Sequence, residues 1–159
     1  MTAPENRMRQ PVGGFRGLVH VLPVRIYYED TDAGGIVYFS NYLKFAERAR
    51  TEMMRHMGVV HPEMIKDHGR AFAVRRCEAD YLRPARLDDL VEVHSHLLGV
   101  RAASLALAQD VRLAGDALVR TRFTLACMSN EGRAVRIPEA LRAALEAFVL
   151  VAESGNGTE

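Results

Sequence analysis

The stretch Tyr27-Tyr28-Glu29-Asp30-Thr31-Asp32-Ala33-Gly34-Gly35-Ile36-Val37-Tyr38-Phe39-Ser40-Asn41-Tyr42 runs straight into the most regular pattern in the chain. From Tyr42 to Met57 the apolar positions Tyr42, Phe45, Ala46, Ala49, Met53 and Met57 recur at spacings of three and four, while Lys44, Arg48, Glu52 and Arg55 fall on other faces. That period predicts an amphipathic helix with one buried stripe. Ser40 or Asn41 is placed to cap its first free N–H groups, and Gly58 to take the left-handed conformation that closes it. The quoted segment in front of it combines Glu29, Asp30 and Asp32 with the turn pair Gly34-Gly35 and several aromatics, an unusual density for a connection.

On either side of this helix the period changes to two. Leu18 to Tyr28, rich in Val, Ile and Tyr, predicts a first strand, ended by the turn-forming residues 30–35. Beyond the helix, His61 to His68 reads as a short helical or irregular connection and Ala71 to Tyr81 as a strand running up to Arg83-Pro84. Val91, Val93, Ser95 and Leu97 then alternate with Glu92, His94, His96 and Leu98. Leu105 to Leu113 and Val119 to Cys127 repeat the alternation, with short joins near residues 99–102 and 115–116. Pro138 opens a last helix, Glu139 to Val151, with Leu141, Ala144, Leu145 and Phe148 on one face. One long helix followed by consecutive hairpins predicts an α+β domain, the helix packed on an antiparallel sheet.

The 159 residues fit one domain, and the sequence divides into a non-periodic segment 1–17 expected to be disordered, a single folded domain 18–152 and a flexible polar tail 153–159. With 48% hydrophobic and 26% charged residues the composition is that of a globular protein. Lys plus Arg (21) nearly balance Asp plus Glu (20), so a net charge of +1 gives no general attraction to nucleic acid or acidic membranes. The N-terminal arginines lack the apolar stretch and cleavage site of a secretory signal, and Cys77 and Cys127 read as reduced core residues; the expected location is the cytoplasm. His94 and His96 share a strand face but lack a third ligand at metal spacing, and no serine-elbow, phosphate-loop or dinucleotide motif occurs.

Residues alone leave two readings of Asp30 and Asp32: an Asx turn with permissive glycines, or a carboxylate held beside the free N–H groups of a helix start. A resemblance favours the second. Tyr28-Glu29-Asp30-Thr31-Asp32-Ala33-Gly34-Gly35, continuing through Asn41-Tyr42 to Glu47-Arg48-Ala49-Arg50, resembles the signature of the 4-hydroxybenzoyl-CoA thioesterase-like hotdog family, especially its Tol-Pal-associated branch. Tyr81-Leu82-Arg83-Pro84 and Asp88-Asp89-Leu90 extend the match more weakly, to most of residues 20–138. The resemblance implies a hotdog fold, an antiparallel sheet wrapped around one long central helix. It also implies hydrolysis of an acyl-CoA thioester with no cofactor beyond the substrate.

By the same resemblance the catalytic carboxylate is Asp32, as nucleophile or general base, and the oxyanion donor is the backbone N–H of Phe39 with Tyr38 as its neighbour. Many members of that branch carry His where this chain has Phe39, so no histidine role carries over. Glu47 matches a helix glutamate used by other hotdog thioesterases, but pairing with nearby arginines is the plainer reading. Tyr28 and Asn41 are placed to line the site, and Arg101, Arg83 and Arg86 to receive the coenzyme A phosphates. A homodimer is the smallest assembly expected, a homotetramer the next. The same pocket would also suit an enoyl-thioester hydratase, which wants a histidine, or a non-catalytic module binding acyl-CoA or acyl-carrier protein.

Overall fold

The computed structural model describes residues 12–59 and 61–149. The elements are β1 (Gly14–Arg16), β2 (Val19–Arg25), α1 (Asn41–His56), α2 (His61–His68), β3 (Arg70–Tyr81), β4 (Leu90–Val100), β5 (Ser104–Leu113), β6 (Asp116–Ser129) and α3 (Glu139–Glu146). All strands form one antiparallel sheet in the order β1-β2-β4-β5-β6-β3. The α+β architecture, with one long helix against an antiparallel sheet, is the one expected. No helix among the described residues is long and apolar enough to cross a membrane.

Period two decides which sheet face meets the helix. On β4, Val91, Val93, Ser95 and Leu97 are buried while Glu92, His94 and His96 lie on the outer face, only partly covered. α1 lies on β2 and β4. Its Tyr42, Phe45 and Ala49 pack with Val24, Ile26, Val93 and Val119, and its Ala46, Met53 and Met54 with Leu97, Leu107, Leu125 and Leu145. Phe45 has no exposed surface, and cutting a phenyl ring of that kind back to alanine costs about 3 to 5 kcal/mol. The β5–β6 hairpin turns through Ala114 (φ 47°) and Gly115 (φ 88°), the two positive φ angles of the tight turn that suits strand twist.

β3 is the exception to full coverage. Among the described residues it pairs only with β6, and its other edge is open over twelve residues. A bulge between Val74 and Arg76 inserts Arg75 and reverses the facing, so Phe72 and Val74 point inward before it and Cys77, Ala79 and Tyr81 after it. Cys77 was expected in the core but is exposed, because α1 does not reach this edge; Cys127, paired with Phe72, is buried as expected.

Four boundaries differ from expectation for local reasons. Residues 14–16, assigned to the non-periodic segment, form β1 on β2; residues 1–11 and 153–159 lie outside the described residues. The first strand ends at Arg25 rather than Tyr28, because the Tyr27 N–H donates to the Asp30 carboxylate (2.8 Å) and folds residues 28–30 into a 3₁₀ turn. Neither Ser40 nor Asn41 caps α1 with its side chain, whereas Gly58 takes the expected left-handed φ of 84°. The last helix stops at Glu146, after which Val149 bridges Leu97.

His20, fully buried on β2, meets His56 near the end of α1 (3.0 Å) under the ring of Phe15. Burial, and secondarily His56, push the pKa of His20 down to about 4. The unfolded chain therefore binds a proton at His20 between pH 6.5 and 4 that the folded chain refuses, and stability falls as pH drops through that window. The loss should reach on the order of 2 to 3 kcal/mol by pH 4. Urea unfolding at pH 7.5, 5.5 and 4.5 should show this slope, and His20→Phe should flatten it.

Candidate active site

The segment between β2 and α1 is a small hairpin. Thr31 bridges Val37, the Asp32 N–H donates to the Ile36 carbonyl (3.0 Å), and the Tyr38 N–H donates to the Asp30 carbonyl (3.0 Å). Ala33, Gly34 and Gly35 form its tip, with Gly35 at φ 74°, the left-handed position that a three-residue hairpin loop demands. Asp32 Oδ1 accepts the Gly34 N–H (2.8 Å), so the Asx turn of the plainer reading is present. It does not consume the carboxylate: the side chain is exposed, and Oδ2 accepts no hydrogen bond among the described residues.

Asp30 serves the framework. Only 7% exposed, it accepts the Tyr27 N–H at its carboxylate, and its carbonyl accepts both Tyr38 N–H and Asn41 Nδ2 (2.9 Å). Asn41, expected to line the site, is instead buried in this tie, because its amide must satisfy a carbonyl that water cannot reach.

The start of α1 has the properties of an oxyanion site. The Tyr38 carbonyl accepts the Asn41 N–H (2.9 Å), which turns that carbonyl toward the helix. Across the same trans peptide the Phe39 N–H must point the other way, and among the described residues neither it nor the Ser40 N–H donates a hydrogen bond. No side chain caps the helix and no acid occupies its first turn, so nothing on the helix offsets its positive end.

An aromatic rim surrounds these groups. Tyr38 and Phe39 rings lie 4.9 Å apart, Tyr81 meets Phe39 edge-on at 6.1 Å, and the Tyr81 hydroxyl donates to the Phe39 carbonyl (3.1 Å). Burial raises the pKa of Tyr81, which keeps it a donor. Nothing in the spacing of Tyr81-Leu82-Arg83-Pro84 marks Tyr81 as a site residue; only folding brings the end of β3 against the helix start.

Other expected residues are dispersed. Tyr28 is 81% exposed at the hairpin base. Arg83 faces Asp116 at 3.8 Å across an exposed surface, and Arg86 bridges Ile36 by its backbone beside the hairpin. Arg101 sits at the far end of β4, whose start adjoins the hairpin, so eleven strand residues put it about 35 Å away within one chain. Glu47 makes no ion pair among the described residues: Arg50 is drawn to Gln109 and Phe123, Arg48 to the Phe45 ring, and Arg55 to Glu52. His94 pairs with Glu92, and no three-residue group that could hold a metal ion occurs among the described residues.

A model of the thioesterase-like superfamily matches residues 27–145. The chain belongs to that superfamily. Among its relatives is the acyl-CoA thioester hydrolase YbgC of Escherichia coli O6:H1, 44% identical over 97 residues, covering 61% of this chain and 72% of the relative. The acyl-CoA thioesterase YbgC of Haemophilus influenzae is 38% identical over 125 residues, covering 77% and 90%. The solved structure of a probable thioesterase from Bartonella henselae superposes with a TM-score of 0.72 at 30% identity, covering 76% of this chain and 99% of that one. These matches bear out the family and the hotdog fold inferred from residues 27–50.

The superfamily frame and the hairpin ties give separable expectations for two neighbours. Asn41→Leu should lower stability by about 1 to 3 kcal/mol, since the Asp30 carbonyl loses a buried partner, while the exposed Asp32→Asn should change it by less than about 0.5 kcal/mol. Urea midpoints of the two variants provide the comparison.

Proposed function

We propose that this thioesterase hydrolyses an acyl-CoA thioester to the free acid and coenzyme A with Asp32 as its carboxylate and the Phe39 N–H as its oxyanion donor. The observation that carries the reading is the pairing of a carboxylate with one unengaged oxygen and an uncapped, acid-free helix start on the two ends of one short hairpin. When the thioester carbonyl accepts from the Phe39 N–H, negative charge developing on oxygen is met by a fixed donor and the helix dipole. Asp32 then either attacks the carbonyl carbon, giving an anhydride that water opens, or takes the proton of an attacking water; coenzyme A thiolate leaves. No cofactor enters this scheme. Free thiols at both cysteines fit action in the cytoplasm.

A second copy completes the site in this reading. The open edge of β3 is long, exposes Val74 and Tyr81, and invites antiparallel pairing with its two-fold mate. Such pairing lays the Tyr81 end of one strand against the Arg70 end of the other. The β4–β5 turn lies at that Arg70 end, since Ser104 pairs with Ala126, and Ala126 with Ala73. Arg101 of the partner subunit therefore comes to the Asp32 end, where it can receive phosphate. The dispersion of site residues in one chain is thus a property of half a site.

Asp32→Asn keeps the shape of the side chain and removes its charge. Release of free thiol from short, long and aromatic acyl-CoA esters should fall at least about a hundredfold in kcat/KM. Unchanged turnover in the folded variant would remove Asp32 from the mechanism. Binding without turnover by the unmodified protein would favour an acyl-CoA binding module. Val74→Arg, placed on the open edge, should shift the protein toward monomer in sedimentation and lower activity with it.

A further inference from the structure

Tyr81 has no task in the hydrolytic scheme, yet its place is closely fixed. The first half of β3 faces a groove beside α1 through Phe72 and Val74, and the bulge at Arg75 keeps Tyr81 on the same inner side at the other end, against the start of α1. Just beyond it, the Leu82 and Arg83 N–H groups both donate to the Leu118 carbonyl (2.8 and 3.1 Å). Ala85 donates its N–H to the Tyr42 hydroxyl and accepts the Val37 N–H at its carbonyl (both 2.9 Å). The end of the strand is thus tied to β6, to α1 and to the hairpin. The Tyr81 ring itself lies edge-on to Phe39 (6.1 Å) and 5.9 Å from Tyr42.

Phe39 stands one residue before the helix cap, where α1 offers its carbonyl no partner. The Leu43 N–H, four residues on, donates to the Ser40 carbonyl instead (3.2 Å), and among the described residues no backbone N–H reaches the Phe39 carbonyl. The Tyr81 hydroxyl takes that acceptor (3.1 Å). The Phe39 carbonyl shares a trans peptide plane with the Ser40 N–H, so holding one end of the plane aims the other end away from Tyr81. The Tyr38–Phe39 peptide is held in the same manner by the Asn41 N–H. Two successive free N–H groups, those of Phe39 and Ser40, are therefore each set by a bond to the carbonyl of their own peptide. A hydrogen bond at a carbonyl also polarises the N–H of its amide.

We infer that Tyr81 is a positioning residue for the oxyanion site, its hydroxyl holding the Phe39–Ser40 peptide so that the Ser40 N–H joins the Phe39 N–H as a second donor to the thioester oxygen. The inference deepens the thioesterase reading and rests on it. The bond joins a half-exposed hydroxyl to a backbone carbonyl, so water can replace it and the fold loses little without it. A peptide plane free to swing, however, takes a preorganised donor away from the place where charge develops, and such donors act mainly in the transition state. Removal of the hydroxyl therefore falls on kcat and spares KM.

The test compares the unmodified protein with Tyr81→Phe, which keeps the ring and its contacts with Phe39 and Tyr42 and removes only the hydroxyl. Turnover is followed on whichever of the short, long and aromatic acyl-CoA esters the unmodified protein hydrolyses fastest. Carbonyl polarisation is read separately, as the infrared stretching frequency of the ketone analogue of that ester, isotopically labelled at the carbonyl and carrying methylene in place of the thioester sulfur. Only folded protein binds the ketone, so this reading is independent of yield. In Tyr81→Phe, kcat should fall at least about tenfold while KM stays within about threefold. The bound carbonyl frequency, lower than in water for the unmodified protein, should move back toward its value in water. A bound frequency that is the same in both proteins, a fall in kcat of less than about threefold, or a loss carried by KM overturns the positioning role and leaves the thioesterase reading intact. If the unmodified protein hydrolyses no ester, the thioesterase reading falls and the role of Tyr81 falls with it.

Discussion

The Asp30 carbonyl accepts from the Tyr38 N–H on one side and the Asn41 amide on the other, and through these bonds the hairpin is fastened to the first residue of the central helix. The helix itself is held by Phe45, Ala49 and Met53, which are packed with almost no exposed surface against the sheet. A loop that would otherwise wander is thus referenced to the most rigid element of the molecule. The exposed carboxylate of Asp32 and the outward N–H of Phe39 inherit that reference, and the preorganisation that the proposed hydrolysis asks of them rests on it.

Polar groups inside the domain do different work. Gln109, Ser95 and Thr121 are buried beneath α1 and satisfy one another and the helix backbone. Such a network stabilises modestly but fixes positions well, since each broken bond strands a buried partner. Its visible output is the orientation of Arg50, a cation held by an amide and an aromatic face rather than by an acid.

Much of this was legible in residues. The helix over 42–57 and the alternating strands follow from periodicity, because each element buries one face and exposes the other. Asp32 and Phe39 were singled out from the motif, and the structure sets them on one hairpin. What the sequence concealed was tertiary. The outward turn of the Phe39 N–H depends on a bond made by its neighbour's carbonyl, and Tyr81 reaches the site from 42 residues away. Cys77 looked like a core residue because alternation reports which face a side chain is on, not whether a helix covers it. Glu47 and Arg50 fit a helical ion pair on spacing alone, yet Phe123 and Gln109, from distant strands, compete for the arginine and win.

The extra residue in β3 has a further reach. Were Arg75 paired in regular register rather than bulged out, the alternation would run unbroken from Phe72, and Arg76, Glu78 and Asp80 would all turn toward the helix. One strand would then present grease at one end and charge at the other to the same interior. The inserted residue changes parity midway, so the strand carries an apolar groove wall and an aromatic rim on one side and its charges on the other. The bulge is therefore a phase setting: drawing Arg75 back into the ladder would leave the composition untouched and turn half the strand inside out.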